Sequence, residues 1–261
     1  MSGGYESILV SDTGKGRFIR FNRPARRNAL SNLLIAELTD ALADAVVDPD
    51  VAAIVLYGDD DCFSAGADLS EAVALDGVEF RTWSGRFRAM TDLIETSRQP
   101  VVASIAGYCF TGGLELALAC DVRIAADNAQ FAITSARIGS LAGFGGTQRL
   151  PRVVGPSRAK RMLFRAEPIG AEEALAIGLV DVVVPVERLR ETVEEEVALY
   201  STRGPVSLAM AKRAVDLGLR TDLPTGLDIE TDIAAQVFAT EDKREGMQAF
   251  LEKRSPRFVG R

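Results

Sequence analysis

The chain has 261 residues, 47% hydrophobic and 26% charged, with a formal net charge of −7 and no histidine. That balance suits a globular chain with a sizeable core and argues against nucleic acid as the main partner, because phosphate binding needs a basic face. The missing imidazole excludes Ser–His and Cys–His nucleophile systems and most zinc or iron sites. Acid–base work near neutral pH then falls to carboxylates, Lys, Tyr, Cys or water.

Ile8-Leu-Val10 and Arg17–Phe21 flank Asp12-Thr-Gly-Lys-Gly16, a turn by composition, and predict a hairpin. Ser31–Val47 reads as an amphipathic helix, with Leu34, Ile35, Leu38, Leu42 and Val46 at helical spacing and Asp48-Pro49-Asp50 as its stop. A buried strand over 51–57 precedes the run Phe63-Ser-Ala-Gly-Ala-Asp-Leu69. A helix over 78–97 closes at Gln99-Pro100, and a strand over 101–106 runs into Gly107-Tyr-Cys-Phe-Thr-Gly-Gly-Leu-Glu115. An apolar helix from Gly112 to Cys120 follows, then short strands over 121–125 and 130–133 and a glycine-rich loop over 138–146. Helices are expected near 147–154, 157–165, 171–177 and 186–201, with a strand over 179–184. Gly204-Pro205 marks a boundary, beyond which helices near 205–218, 224–239 and 241–253 complete the chain. The expected organisation is a β/α core over 1–200 and a helical region over 201–261.

Cys62, Cys109 and Cys120 form no C-x-x-C pair, and their odd number reads as reduced core or near-site thiols. Met1-Ser-Gly-Gly-Tyr-Glu6 lacks a basic-then-apolar leader, and no apolar run nears the ~18 residues of a membrane span. A cytoplasmic protein without a membrane partner is the expectation. Metal-ligand clusters and a G-x-G-x-x-G fingerprint are both missing, so no metal or redox cofactor is expected.

Both glycine-rich runs lie at strand-to-helix turns. In the first, the Ala67 N–H is a natural donor. In the second, Gly112 opens a helix whose terminus adds partial positive charge to its N–H. Two such donors on one oxygen form an oxyanion hole and point to chemistry through an enolate. Glu115 stands one turn into the apolar helix, where burial is expected to push its pKa up toward an acid–base value. The competing reading pairs Glu115 with Arg123 as a structural salt bridge. Trp83, Phe87 and Phe144 read as core aromatics that double as pocket candidates.

These residues carry a resemblance. Asn22-Arg-Pro24 with Asn28-Ala-Leu30, the two glycine runs, Cys120-Asp121, Gly145-Gly-Thr-Gln-Arg-Leu150, Ala174–Val180 and Glu245–Arg254 together resemble the enoyl-CoA hydratase/isomerase (crotonase) superfamily, nearly end to end. The resemblance implies an α/β fold, a spiral of ββα turns with a C-terminal helical trimerisation region, and trimers that commonly pair into hexamers. It implies an acyl-CoA thioester substrate whose carbonyl oxygen is held by Ala67 and Gly112, with no cofactor besides the coenzyme A of the substrate. It places Ala65, Asp68 and Arg27 beside the coenzyme, Lys253 of a neighbouring subunit on its phosphates, and the Gly143 amide near the catalytic water. Asp68 also reads as a turn-shaping residue, and Arg26 and Arg27 as solvated surface.

One departure stands out. Hydratases of the family use a second glutamate about twenty residues after the first, and that place in Phe131–Gly139 holds Ser135, with Thr134 before it. A serine hydroxyl orients water but is a poor proton source or base near pH 7. Three readings follow: a hydratase using Glu115 alone, with Ser135, Thr134 and Gly143 ordering the water; another enolate reaction, such as decarboxylation of a malonyl-type thioester or a double-bond shift; or an acyl-CoA-binding protein with degraded catalysis.

Overall fold

The computed structural model describes residues 4–261; Met1–Gly3, where the segment read for a leader begins, lie outside the described residues. Strands β1 (Ile8–Thr13) and β2 (Gly16–Phe21) form the expected hairpin around Gly14-Lys15. Helix α1 (Asn32–Val47) starts where the Ser31 side chain accepts the Leu34 N–H, and it buries Leu34, Ile35, Leu38 and Leu42. Three turns of strand, strand and helix follow. The first is β3 (Ala53–Tyr57), β4 (Cys62–Ser64), the short α2 (Leu69–Ala72) and the long α3 (Gly77–Thr96). The second is β5 (Val101–Ile105), β6 (Tyr108–Phe110) and α4 (Gly112–Ala117). The third is β7 (Val122–Ala126), β8 (Gln130–Ala132), α5 (Gly146–Val154) and α6 (Pro156–Arg165). Then come β9 (Ile169–Gly170), α7 (Ala171–Ala176), β10 (Val182–Val184), α8 (Val186–Ser201), and the final helices α9 (Pro205–Gly218), α10 (Leu223–Phe238) and α11 (Glu241–Leu251).

Each ββα turn contributes one strand to each of two sheets. The larger sheet runs β1-β2-β3-β5-β7-β10, parallel beyond the first pair, and the smaller runs β4-β6-β8-β9. This is the expected spiral. Strands β3 and β5 are near-continuous apolar runs, broken in β5 by the buried Ser104, because helices cover both faces of the larger sheet. Ile54 and Leu56 join one core with α1 and α3, while Ala53 and Val55 join another with Leu189, Val193 and Val197 of α8. Passage from the larger sheet to the smaller is tight. Gly107 has a φ of 57°, and a Cβ there would collide with the Asp61 main chain.

Several elements differ from the sequence reading for reasons of pairing. Tyr108–Phe110 is a strand inside what composition marks as a glycine turn, because β4 and β8 flank it on both sides. Helix α4 stops at Ala117, three residues early, where the chain tightens through Ala119 N–H to Leu116 O and Cys120 N–H to Ala117 O before entering β7. Ser135–Ile138 is a short 3-10 turn and β9 is a two-residue strand; neither has a sequence signal of its own.

Helix α9 is attached to the core by Lys212, whose ammonium donates to Asp121 Oδ2 at 2.8 Å and to Ile94 O at 2.6 Å. The final helices leave Leu219, Leu223, Phe250 and Leu251 more than 70% exposed. No described helix is long and apolar enough to cross a membrane.

Candidate active site

Between the ends of β4 and β6, the turn before α4, α3 and the loop ahead of α5 lies a cavity of about 670 Å³. Ala65, Ala67, Asp68, Glu115, Ser135 and Gly143 line it, together with Thr111, Phe80, Trp83 and Phe144. The two glycine runs meet at its floor. Leu30 donates its N–H to Gly66 O and accepts the Asp68 N–H, so one edge of this short extended segment is spent on Leu30. The Ala67 N–H points to the opposite edge and has no acceptor among the described residues. Gly112 is the first residue of α4, so its N–H lacks an intrahelical partner too. The two backbones are in contact. A Cβ at Gly112 would lie 3.1 Å from Ala67 N, and one at Gly66 would lie 3.0 Å from Gly112 N. Two unspent amides therefore stand side by side, one of them at a helix N-terminus, and together they can hold one anionic oxygen.

Glu115 is 1% exposed. Its Oε1 accepts two main-chain N–H bonds, from Phe144 and Gly146, both 2.8 Å long. Among the described residues, Trp83 Nε1 is the one buried side-chain nitrogen or oxygen without a partner. Glu115 Oε2 has no protein partner either, so it reaches the cavity surface. Burial pushes the Glu115 pKa up, against the opposing pull of the Gly146 and Phe144 amides and the Arg149 charge. The salt bridge to Arg123 does not form. Arg123 instead donates to Leu179 O and Cys120 O and pairs with Asp181. The amides that grip Glu115 belong to Phe144 and Gly146, on either side of Gly145, a contact the sequence reading did not foresee although the paired glycines are its only local signal.

Ser135 is 5% exposed, and its hydroxyl has no protein partner, so by the same reasoning it opens onto the cavity. The neighbouring Thr134 also borders the cavity, and its hydroxyl shares a hydrogen bond with the Thr111 hydroxyl at 2.9 Å. Gly143 passes beneath the Phe80 ring, where a Cβ would come within 2.5 Å of it, and its carbonyl accepts the Ser84 hydroxyl. Phe80, Trp83 and Phe87 pack around Phe144, with Phe87 stacked at 4.4 Å and Trp83 edge-on at 5.0 Å. Trp83 and Phe144 are thus core residues and cavity wall at once.

The other cavity carboxylates have structural duties. Asp68 caps α2, and its carboxyl is held below its usual range by the Ser70 hydroxyl and by Arg23 at 3.0 Å. Asp76 caps α3 through a capping box with Glu79. Among the residues read as coenzyme contacts, Ala65 and Asp68 border the cavity. At the Arg pair it is Arg26 that lines the cavity, whereas Arg27 lies 5.7 Å from the centre of the Tyr108 ring. Lys253 is exposed just past α11 and is not part of this cavity. No set of three or more Cys, Asp or Glu placed to hold a metal occurs among the described residues.

All three cysteines are buried and unpaired. Burial drives the Cys62 and Cys120 thiols up to about 12, with Asp59 and Asp121 adding to the effect, and Cys109 rises for the same first cause. Since the thiolate is the reactive form, native protein at pH 8 is expected to release no colour from a disulfide reagent within minutes. Three thiols per chain should titrate after unfolding in guanidinium; rapid native labelling of any one of them would contradict this placement.

A family model described as enoyl-CoA hydratase/isomerase matches residues 17–261. A crotonyl-CoA hydratase of Syntrophomonas wolfei is 39% identical over 258 residues, covering 98% of this chain and 99% of that protein. A short-chain-enoyl-CoA hydratase of Clostridium acetobutylicum is 36% identical over 249 residues, covering 95% of each. The crystal structure of an enoyl-CoA hydratase from Bacillus anthracis superimposes with a TM-score of 0.94 at 38% identity, covering 98% of this chain and 100% of that one.

Proposed function

We propose, from the premise that this chain belongs to the enoyl-CoA hydratase/isomerase family, that it is an enzyme adding water to a 2-enoyl-CoA thioester with a single acid–base carboxylate. The observation that carries this reading is the meeting, at one cavity, of the unspent Ala67 amide and a buried carboxylate with a free oxygen, with the unspent Gly112 amide packed against Ala67. The Ala67 and Gly112 amides bind the thioester oxygen and gain strength as it becomes an enolate oxygen. Glu115 Oε1 is tied down, so Oε2 handles the proton. It takes one from water as the oxygen bonds to the β-carbon, then returns it to the α-carbon on the same face. The carboxylate ends as it began. Ser135 Oγ and the Gly143 amide orient the water, which explains how a hydroxyl serves where family hydratases carry a second glutamate.

The exposed apolar residues of α9–α11 leave surface for self-association, which on the family resemblance is a homotrimer, alone or paired as a hexamer. In that assembly Lys253 and the Arg26–Arg27 pair supply charge for the coenzyme phosphates.

The test is incubation of purified protein with crotonyl-CoA, a longer enoyl-CoA and methylmalonyl-CoA, with products resolved by mass. Gain of water on an enoyl-CoA is expected. Loss of CO₂ from methylmalonyl-CoA would move the assignment to decarboxylation, a reading favoured by the missing second carboxylate because CO₂ release makes the enolate without a base. Binding without turnover would mean a scaffold. A companion expectation concerns Ser135→Glu. If the native site is a one-carboxylate hydratase, crotonyl-CoA turnover should change by less than about tenfold. A gain of about 10² or more would mean that the native site serves a different enolate reaction.

A further inference from the structure

Thr111, immediately before the Gly112 donor, has φ 44° and ψ −108°. This region is at home only for glycine, and a β-branched residue there is a genuine outlier. Thr111 is also the N-cap of α4, yet it lacks both usual features of such a residue. Its backbone is outside the extended region, and its hydroxyl caps no helix amide. The hydroxyl instead accepts the Thr134 N–H at 3.0 Å and shares a hydrogen bond with the Thr134 hydroxyl at 2.9 Å. The Thr111 N–H is anchored as well, on Ala132 O at 2.7 Å.

The consequence falls on the next peptide. The ψ of Thr111 sets the plane that contains its own carbonyl and the Gly112 N–H, and these two groups point in opposite directions across a trans peptide. The carbonyl accepts the Glu115 N–H at 2.8 Å, inside the first turn of α4, so the Gly112 N–H is turned out beside Ala67. Relaxation of Thr111 to an ordinary extended capping conformation would rotate this peptide and swing the Gly112 N–H away.

We infer that Thr134 is a positioning residue: its amide and hydroxyl clamp Thr111 in a glycine-only conformation and so aim the Gly112 N–H at the thioester oxygen. The inference rests on the thioester reading of this site given above, but not on the hydration step. Strain of this kind persists only where its surroundings impose it, and it gathers at sites whose geometry must be set before the ligand arrives.

The experiment is a double-mutant cycle with a spectroscopic readout. Thr134→Val keeps the shape and removes the hydroxyl. It is expected to lower kcat for crotonyl-CoA by about 10- to 10²-fold with KM nearly unchanged, as for a misaimed catalytic group. Thr134→Ser should restore most of the loss. In a Thr111→Gly background, where glycine holds the conformation unaided, adding Thr134→Val should cost less than about twofold. Thr111→Val, which breaks the pair from the other side, should resemble Thr134→Val and serves if that variant folds poorly. The carbonyl ¹³C resonance of bound [1-¹³C]butyryl-CoA should move downfield in wild type, and less so in Thr134→Val and Thr111→Val.

Equal losses from Thr134→Val in the threonine and glycine backgrounds would overturn the proposal, as would a pure KM effect or an unchanged carbonyl shift. If no enoyl-CoA is hydrated but the carbonyl shift still depends on Thr134, the hydration reading fails and the clamp stands.

Discussion

Glu115→Gln is expected to lower kcat for enoyl-CoA hydration by about 10²–10⁴ while leaving KM nearly unchanged. The substitution is close to isosteric. A glutamine oxygen still accepts the Phe144 and Gly146 amides that bind Oε1 at 2.8 Å, so the loop ahead of α5 keeps its anchor. What disappears is the ability of the cavity-facing atom to take and return a proton. Asp68 and Asp76 border the same cavity but are consumed as helix caps and cannot substitute.

The same variant carries a stability signature whose sign follows from burial. Burial raises the folded-state pKa of Glu115 above its unfolded value. The folded protein therefore binds more protons than the unfolded chain between the two values, and stability falls as pH rises through that window. Glutamine does not titrate. Glu115→Gln should thus melt at a higher temperature than wild type near pH 7, and the gap should close as pH drops below the ordinary carboxylate range. Wild-type turnover by the variant would remove the carboxylate from the chemistry. A gap that stays constant with pH would mean that Glu115 is not penalised by burial.

Gly112→Ala is the second large effect, with kcat expected to fall by about 10²–10³. The amide itself survives the change. The added Cβ, however, lies 3.1 Å from Ala67 N, 3.3 Å from Leu30 Cδ1 and 3.4 Å from the Gly66 carbonyl carbon, so the two backbones must separate by a few tenths of an ångström. Oxyanion donors act over a narrow range of about 2.7–3.1 Å, and such a separation weakens both at once. Gly85→Ala is the matched control. This glycine is exposed in the interior of α3 with open space around its Cβ, so alanine should raise stability by about 0.5–1 kcal/mol and leave turnover alone. Full activity in Gly112→Ala would contradict the assignment of that amide to the thioester oxygen.

Much of this was legible in the chain itself. Helix α1 announced its buried face through the spacing of Leu34, Ile35, Leu38 and Leu42, and its start through Ser31. Such signals are local: periodicity, a capping hydroxyl and a proline act within a few residues. The two glycine runs exposed Ala67, Gly112 and Glu115 as a group because small residues at strand-to-helix turns have a backbone meaning. Strand β6 was hidden inside the second run, since its strand character comes from β4 and β8 on either side rather than from Tyr108-Cys-Phe110. The partners of Glu115 were hidden for a related reason. Arg123, a near neighbour along the chain, looked like the natural counter-charge, yet α4 ends three residues early and the carboxylate meets the amides of residues 144 and 146 instead.

By itself, then, the order of residues determined most of the helices, the strands of the larger sheet, the lack of any imidazole, and the presence of Ser135 where the family resemblance expects a second glutamate. It did so because composition and short-range periodicity constrain the backbone locally. Which amides stay unspent, which oxygen of Glu115 faces the cavity, and why Thr111 tolerates a glycine-like backbone were decided only in three dimensions. Each is a question of hydrogen-bond completion, and the partners that answer it (Leu30, Phe144, Gly146 and Thr134) arrive from segments 23 to 37 residues away in the chain.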